Sequence, residues 1–253
     1  MTNRTPLIAG NWKMFKTCPE ALETAVQLVK LLAGIRDIDV MIAPPFTALA
    51  PVSEVLKGSC VSLGAQNIFW EAQGAFTGEI SPAMLVSAGC KYVIIGHSER
   101  RQYFNETDET VNKRIRAAIN NHLIPVMCVG ESEEERELKN TFSVLDKQVK
   151  KGLEEFSSDD LEGLVIAYEP VWAIGTGKTA TSGQAQEAHE FLRSVLKKSF
   201  GNALAKSIRI LYGGSVKPNN IAELMAMPDV DGALVGGASL DPETFSKIIQ
   251  FKR

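Results

Sequence analysis

The stretch Ala167–Lys178 reads Ala-Tyr-Glu-Pro-Val-Trp-Ala-Ile-Gly-Thr-Gly-Lys and continues an apolar run, Leu164-Val165-Ile166-Ala167. Such a short apolar run, rich in branched side chains, predicts a buried strand. Glu169 then stands before Pro170, and a residue before proline is pushed out of the helical region. The carboxylate is therefore held extended at the strand's exit. Four apolar residues follow, Val171 to Ile174, where a solvated loop would be polar. Gly175-Thr176-Gly177 comes next and is free to take unusual dihedrals. A carboxylate on a rigid seat, an apolar tip and a glycine pair fit a general base with a lid. These residues alone fit a buried glutamate beside a hydrophobic turn equally well.

Outward from that strand, similar runs recur along the chain. They are Leu7-Ile8-Ala9, Val40–Ala43, Val61-Ser62-Leu63, Tyr92–Ile95, Ile124–Cys128, Leu164–Ala167, Ile208–Tyr212 and Gly232–Val235. Runs that are apolar on both faces suit a parallel sheet. Between them lie helical periods at Pro19–Leu32, Val111–Ile119, Phe142–Phe156, Gln184–Phe200, Ile221–Met227 and Pro242–Phe251. In the first of these, Leu22, Val26, Val29 and Leu32 share one predicted face. The fourth opens with Thr181-Ser182-Gly183-Gln184, a Thr-x-x-Gln capping box. Eight strands alternating with helices over 253 residues predict a closed (β/α)8 barrel, eight parallel strands surrounded by helices. A doubly wound open sheet is the alternative. No Gly-x-Gly-x-x-Gly follows the first run, which argues against a dinucleotide fold. No Pro/Gly/Ser linker, low-complexity tract or strong repeat interrupts the chain, so residues 1–253 are expected to form one domain.

The bulk composition is that of an ordinary globular protein, 45% hydrophobic and 23% charged. A net charge of -3 and a pI near 5.8 point away from nucleic acid and membrane surfaces. A small anionic substrate remains compatible, since a site can be locally positive. The four cysteines, Cys18, Cys60, Cys90 and Cys128, form no Cys-x-x-Cys pair, so metal and redox motifs lack support. Scattered thiols suit a reducing, cytoplasmic compartment. The first residues lack the apolar core of a signal peptide. No run approaches the roughly 18 apolar residues of a membrane helix.

In a (β/α)8 barrel the functional groups gather at the C-terminal ends of the strands. After the first run stand Asn11, an amide, and Lys13, a fixed cation, two residues apart and so able to project together. A turn asparagine and a solvated lysine would look the same. After the fourth stands His97-Ser98-Glu99-Arg100-Arg101, where a strand gives way to a short helix. The positive helix end disfavours imidazolium, so a neutral ring could donate to a substrate oxygen. A structural histidine is the plain alternative. The seventh and eighth runs end in Gly213-Gly214-Ser215 and Gly236-Gly237-Ala238, whose exposed N–H groups suit a phosphate.

Taken in order, Asn11-Trp12-Lys13, Gly64–Asn67, Gly74–Ser81, His97–Arg101, Ala167–Lys178, Tyr212–Val216 and Val235–Ser239 resemble the triosephosphate isomerase family from end to end. The resemblance implies the TIM-barrel fold and interconversion of dihydroxyacetone phosphate and D-glyceraldehyde 3-phosphate. It implies Glu169 as the base, strengthened by desolvation. It implies His97 and Asn11 as donors to the enediolate, and Lys13 as the positive field. Substrate phosphate would be held by the N–H groups of Gly175, Ser215, Gly236 and Gly237, with Glu99 and Ser98 in support. The lid would comprise Pro170, Val171, Trp172, Ala173, Ile174, Gly175, Thr176, Gly177 and Lys178. Phe76 and Thr77 would tip a loop reaching into a second copy, making a homodimer. No metal or cofactor is expected. The chain departs from the family pattern at Ser182-Gly183, where Pro-Glu is commoner, and a weaker helix start is the expected consequence.

Two other readings make different demands. A Schiff-base aldolase needs a lysine within a strand, and none of the apolar runs holds one. A catalytically dead barrel kept for binding would have lost His97 or Glu169, and both are present.

Overall fold

On the first strand, β1 (Leu7–Asn11), Leu7 and Ala9 belong to one buried cluster and Ile8 to another. The same split recurs along the other strands. Met41 and Ala43 face Leu7's cluster from β2 (Asp39–Ala43), while Val40 and Ile42 face away. Tyr92 and Ile94 do so from β4 (Tyr92–Ile95), and Val126 and Cys128 from β5 (Ile124–Val129). Val165 and Ala167 follow from β6 (Val165–Tyr168), Leu211 from β7 (Arg209–Tyr212) and Leu234 from β8 (Gly232–Val235). β3 (Val61–Ala65) packs Val61, Leu63 and Ala65 into the other cluster. Side chains alternate along a strand. Two clusters on two faces therefore mean a sheet buried on both sides, which is why these runs are apolar throughout.

The structure, a computed structural model, describes residues 4–173 and 179–252. In it the strands pair in the order β1 to β8, all parallel, and β8 returns to β1 to close the barrel. The open-sheet alternative is thereby excluded. Leu7's cluster fills the barrel interior, and the outward residues pack under the helices.

The helices of the described residues are α1 (Cys18–Leu31), α2 (Leu49–Leu56), α3 (Pro82–Ser87), α4 (Ser98–Tyr103), α5 (Asp108–Asn120), α6 (Glu133–Glu137), α7 (Thr141–Gly152), α8 (Ser182–Phe200), α9 (Asn202–Ser207), α10 (Ile221–Met225) and α11 (Pro242–Ile249). The expected face of α1 holds in part: Leu22 and Val29 pack against the core and Leu32 is buried just past the helix. Its buried residues are Ala21, Thr24, Ala25 and Leu28, and Val26 is exposed. Small residues let the helix lie close to the sheet, which larger side chains at those positions would prevent. The start of α8 carries a complete capping box despite Ser182-Gly183. Thr181 N–H donates to Gln184 Oε1 at 2.9 Å and Gln184 N–H to Thr181 Oγ1 at 3.2 Å, completing the box. Ser182 adds a hydrogen bond of its own, donating to Glu223 Oε1 on α10 at 2.5 Å. All four cysteines are free; Cys90 and Cys128 are buried.

Candidate active site

Strand parity decides what reaches the open end of the barrel. The inward series Leu7, Ala9 continues to Asn11, and Val165, Ala167 continues to Glu169. Leu211 leads to Gly213 and Leu234 to Gly236 in the same way. β4 would break the rule, because Tyr92 and Ile94 put His97 on the outer parity. Gly96 corrects this with a φ of 70°, a left-handed turn that swings the chain. These groups line one cavity of about 270 Å³, together with Lys13, Ala173, Ser215, Lys217 and Gly237. A space of that size suits a small metabolite.

The charged groups are held closely. His97 Nε2 lies 2.9 Å from Glu169 Oε1. Ser98 supports the same carboxylate twice, its N–H donating to Oε2 at 3.0 Å and its hydroxyl to Oε1 at 3.2 Å. His97 caps α4: its Nδ1 accepts from the Glu99 N–H at 3.3 Å. An accepting Nδ1 places the proton of the neutral ring on Nε2, toward Glu169. Lys13 Nζ meets Glu99 Oε1 at 2.6 Å. The Lys13 backbone is left-handed, with φ 51°, and its N–H donates to Asn11 Oδ1 at 3.0 Å. Asn11 thus reaches the cavity by strand alternation and Lys13 joins it by a turn.

Two electrostatic expectations change. Burial pushes the Glu169 carboxyl up, but His97, its hydrogen bond and the Ser98 N–H pull it down further, leaving it below its ordinary value. Desolvation alone therefore does not make this carboxylate a stronger base. Burial pulls His97 down, yet Glu169, its hydrogen bond and Glu99 push it up further, so the ring stands above its ordinary value. A carboxylate at 2.9 Å outweighs the end of a six-residue helix.

The lid residues divide. Val171–Ala173 form a single 3-10 turn. Val171 N–H donates to the Glu131 carbonyl at 3.1 Å, and Trp172 Nε1 donates to Glu131 Oε1 at 2.9 Å. This part is an anchored base of the stretch, not its tip. Ile174, Gly175, Thr176, Gly177 and Lys178 lie outside the described residues, and with them the Gly175 phosphate contact. Phe76 and Thr77 are exposed, with Phe76 packed on Phe69 at 4.8 Å between ring centroids.

Sequence reasoning missed two groups. Glu131 is fully buried and accepts from Tyr168 Oη at 3.1 Å and Arg136 Nη1 at 3.1 Å as well as from Trp172. It stands just beyond β5, and the strand-end rule would have found it. Gln66 Nε2 donates to the Lys13 and Ala43 carbonyls, both at 2.8 Å, and so braces the loop after β1. Nothing local signals that role. None of the eight strands contains a lysine, which removes the Schiff-base reading.

The model of the family described as triosephosphate isomerase matches residues 6–252. A triosephosphate isomerase of Pelobacter propionicus is 57% identical over 249 residues, covering 98% of this chain and 99% of that protein. One from Carboxydothermus hydrogenoformans is 57% identical over 247 residues, covering 98% of each. The crystal structure of triosephosphate isomerase from Bartonella henselae superposes with a TM-score of 0.89 at 40% identity, covering 98% of this chain and 99% of that one. A closed barrel with a paired glutamate and histidine at its open end, matched along nearly its whole length, belongs to the triosephosphate isomerase family.

Proposed function

We propose that Glu169 and His97 carry out the proton transfers by which this isomerase interconverts dihydroxyacetone phosphate and D-glyceraldehyde 3-phosphate. The observation that carries the assignment is their 2.9 Å contact at the floor of the cavity. Glu169 removes a proton from the carbon bearing the substrate hydroxyl, leaving an enediolate. As a carboxylic acid it returns that proton to the neighbouring carbon. His97 Nε2–H donates to the enediolate oxygens, and the hydroxyl proton passes between them. Asn11 adds an amide donor, and Lys13 supplies a positive field where negative charge develops. Before the reaction Glu169 must exchange its bonds to Ser98 and His97 for the substrate. Those bonds hold its basicity down, so leaving them inside a closed, dry site raises it.

Ser215, Gly236 and Gly237 take the phosphate through backbone N–H groups, on the side of the cavity built by the exits of β7 and β8. Gly175 would add a fourth N–H from the lid. Glu99 holds Lys13 by their 2.6 Å ion pair. Residues 1–253 act as one catalytic domain without a cofactor.

The working unit is a homodimer. Its support is the apolar surface on the loop after β1, the end of α4 and the loop after β3. Met14 is 94% exposed, Phe15 54%, Phe76 43%, Tyr103 66% and Phe104 63%. Exposed apolar side chains in that number mark an interaction surface. The loop carrying Phe76 and Thr77 would abut the partner's Asn11–Lys13 segment. The cytoplasm is the proposed compartment, on the strength of the free thiols. Among the described residues no helix is long and apolar enough to cross a membrane.

Aldehyde formation from dihydroxyacetone phosphate, read through a coupled dehydrogenase, tests the assignment. Turnover by the parent and its loss in Glu169→Gln are expected. Undiminished turnover in Glu169→Gln would remove Glu169 from the chemistry.

A further inference from the structure

Gln148 reaches from α7 and makes both of its amide hydrogen bonds to one residue. Its Nε2 donates to the Gly130 carbonyl at 3.0 Å, and its Oε1 accepts from the Gly130 N–H at 2.8 Å. That reciprocal pair imitates a sheet neighbour for Gly130, at the point where β5 has ended. Gly130 is the main chain against which the base rests. A Cβ placed there would collide with the Glu169 carbonyl oxygen. On either side, Glu169 N–H donates to the Val129 carbonyl at 2.8 Å, and Val171 N–H to the Glu131 carbonyl at 3.1 Å. Residues 129–131 are thus the seat of residues 169–171. Beside the seat lies a second cavity of about 390 Å³, lined by Gln148, Gly130, Ser98 and Glu169 among others. With open space there in place of packed side chains, the two amide bonds carry the alignment.

We propose that Gln148 is a positioning residue for Glu169, fixing the Gly130 main chain that sets the height and direction of the base. The inference rests on Glu169 being the base. Gln148 itself touches neither the substrate cavity nor the phosphate side. Loosening Gly130 would let the seat of Glu169 shift, and a misplacement of about 1 Å can cost on the order of 100-fold in rate. The exits of β7 and β8, where phosphate binds, would keep their geometry.

The test compares Gln148→Ala, Gln148→Glu, Glu169→Asp and the double variant Gln148→Ala/Glu169→Asp with the parent. For each, kcat, KM for dihydroxyacetone phosphate and the competitive inhibition constant of inorganic phosphate are measured. Gln148→Ala is expected to lose roughly 10-fold or more in kcat with phosphate inhibition within about twofold. Gln148→Glu keeps the acceptor and loses the donor, so its kcat should fall between parent and Gln148→Ala. The double variant should lose less than the product of the single losses, because both act on one carboxylate. A Gln148→Ala kcat within twofold of the parent overturns the proposal. So does an equal weakening of phosphate inhibition, which marks general loosening, or strictly multiplicative losses. If Gln148→Ala does not fold, Gln148→Glu decides by the same kcat and phosphate readings. Glu169→Asp within twofold of the parent would sink the base assignment and this inference with it. A large loss there with none in either Gln148 variant sinks this inference alone.

Discussion

His189 gives the fold an acid-labile point whose size can be worked out. It lies on α8 with no exposure to solvent, and its Nδ1 is 3.2 Å from the Asp229 carbonyl. A carbonyl only accepts, so Nδ1 carries the proton of the neutral ring. Nε2 is then a bare acceptor, buried and without a hydrogen-bond partner among the described residues. A second proton would place a charge in that apolar setting. Burial lowers the ring's pKa to about 4, with the Asp229 carbonyl opposing and Arg193 assisting. The unfolded chain titrates near the ordinary value of about 6.5. Between these values the unfolded chain binds more protons than the folded protein, so stability falls as pH falls. From pH 7 to pH 5 the loss amounts to about 2 kcal/mol, and it approaches about 3 kcal/mol once pH is well below the folded value. His189→Gln removes the titration while offering a donor to Asp229. The measurement is urea unfolding of parent and variant at pH 7 and at pH 5, at one protein concentration, since unfolding of the proposed dimer would depend on it. Carboxylates contribute equally to both proteins and cancel in the comparison. The variant should lose about 2 kcal/mol less than the parent across that interval. Equal losses in both proteins would refute the reasoning, whatever their absolute stabilities.

Charges placed together at Phe76 and Thr77 should give monomers of much reduced activity, and sedimentation showing a fully active monomer would contradict the dimer assignment. Ser215→Asp should abolish inhibition by a phosphate-bearing enediolate mimic through like-charge repulsion, so undiminished inhibition would misplace the phosphate. Gly183→Ala should stabilise the protein by about 0.5–1 kcal/mol, because alanine suits a helix better than glycine. A Cβ there would meet only Thr181 Oγ1, at 3.9 Å, so an unchanged thermal midpoint would mean that the start of α8 does not limit stability.

The strands were legible because a barrel sheet is buried on both faces, so each strand is a continuous apolar run. β4 and β8 begin and end where the runs do. The long helices α5, α7 and α8 were legible by their period. Of the short ones, α10 and α11 were anticipated while α2 and α3 were not. At the site, identities were readable and electrostatics were not. The pKa direction of His97 is set by Glu169, which closure of the barrel brings to 2.9 Å from another strand's exit. Gln66 and Gln148 were overlooked for the same reason; Glu131, just beyond β5, was overlooked although the strand-end rule reaches it. Each is polar and locally unremarked, and each acts on backbone or side chains supplied by another element.

Two of those overlooked residues, Glu131 and Gln148, share a location that bears on how the site works. Glu131 receives the Val171 N–H and the Trp172 indole, so it holds the start of the proposed lid. Its neighbour Gly130 lies against the Glu169 main chain. Glu169, the proposed base, and the 3-10 turn Val171–Ala173 therefore spring from one short frame, residues 129–131, hydrogen-bonded from outside by Gln148. A rigid frame common to both means that any movement of the lid's first turn is referred to the same backbone that aims the carboxylate. Releasing Trp172 from Glu131 would leave Gly130 and the Gln148 pair intact, so the lid could move while the seat of Glu169 stayed put. The carboxylate then needs only side-chain rotation to leave Ser98 and meet the substrate, a fast motion that need not limit turnover.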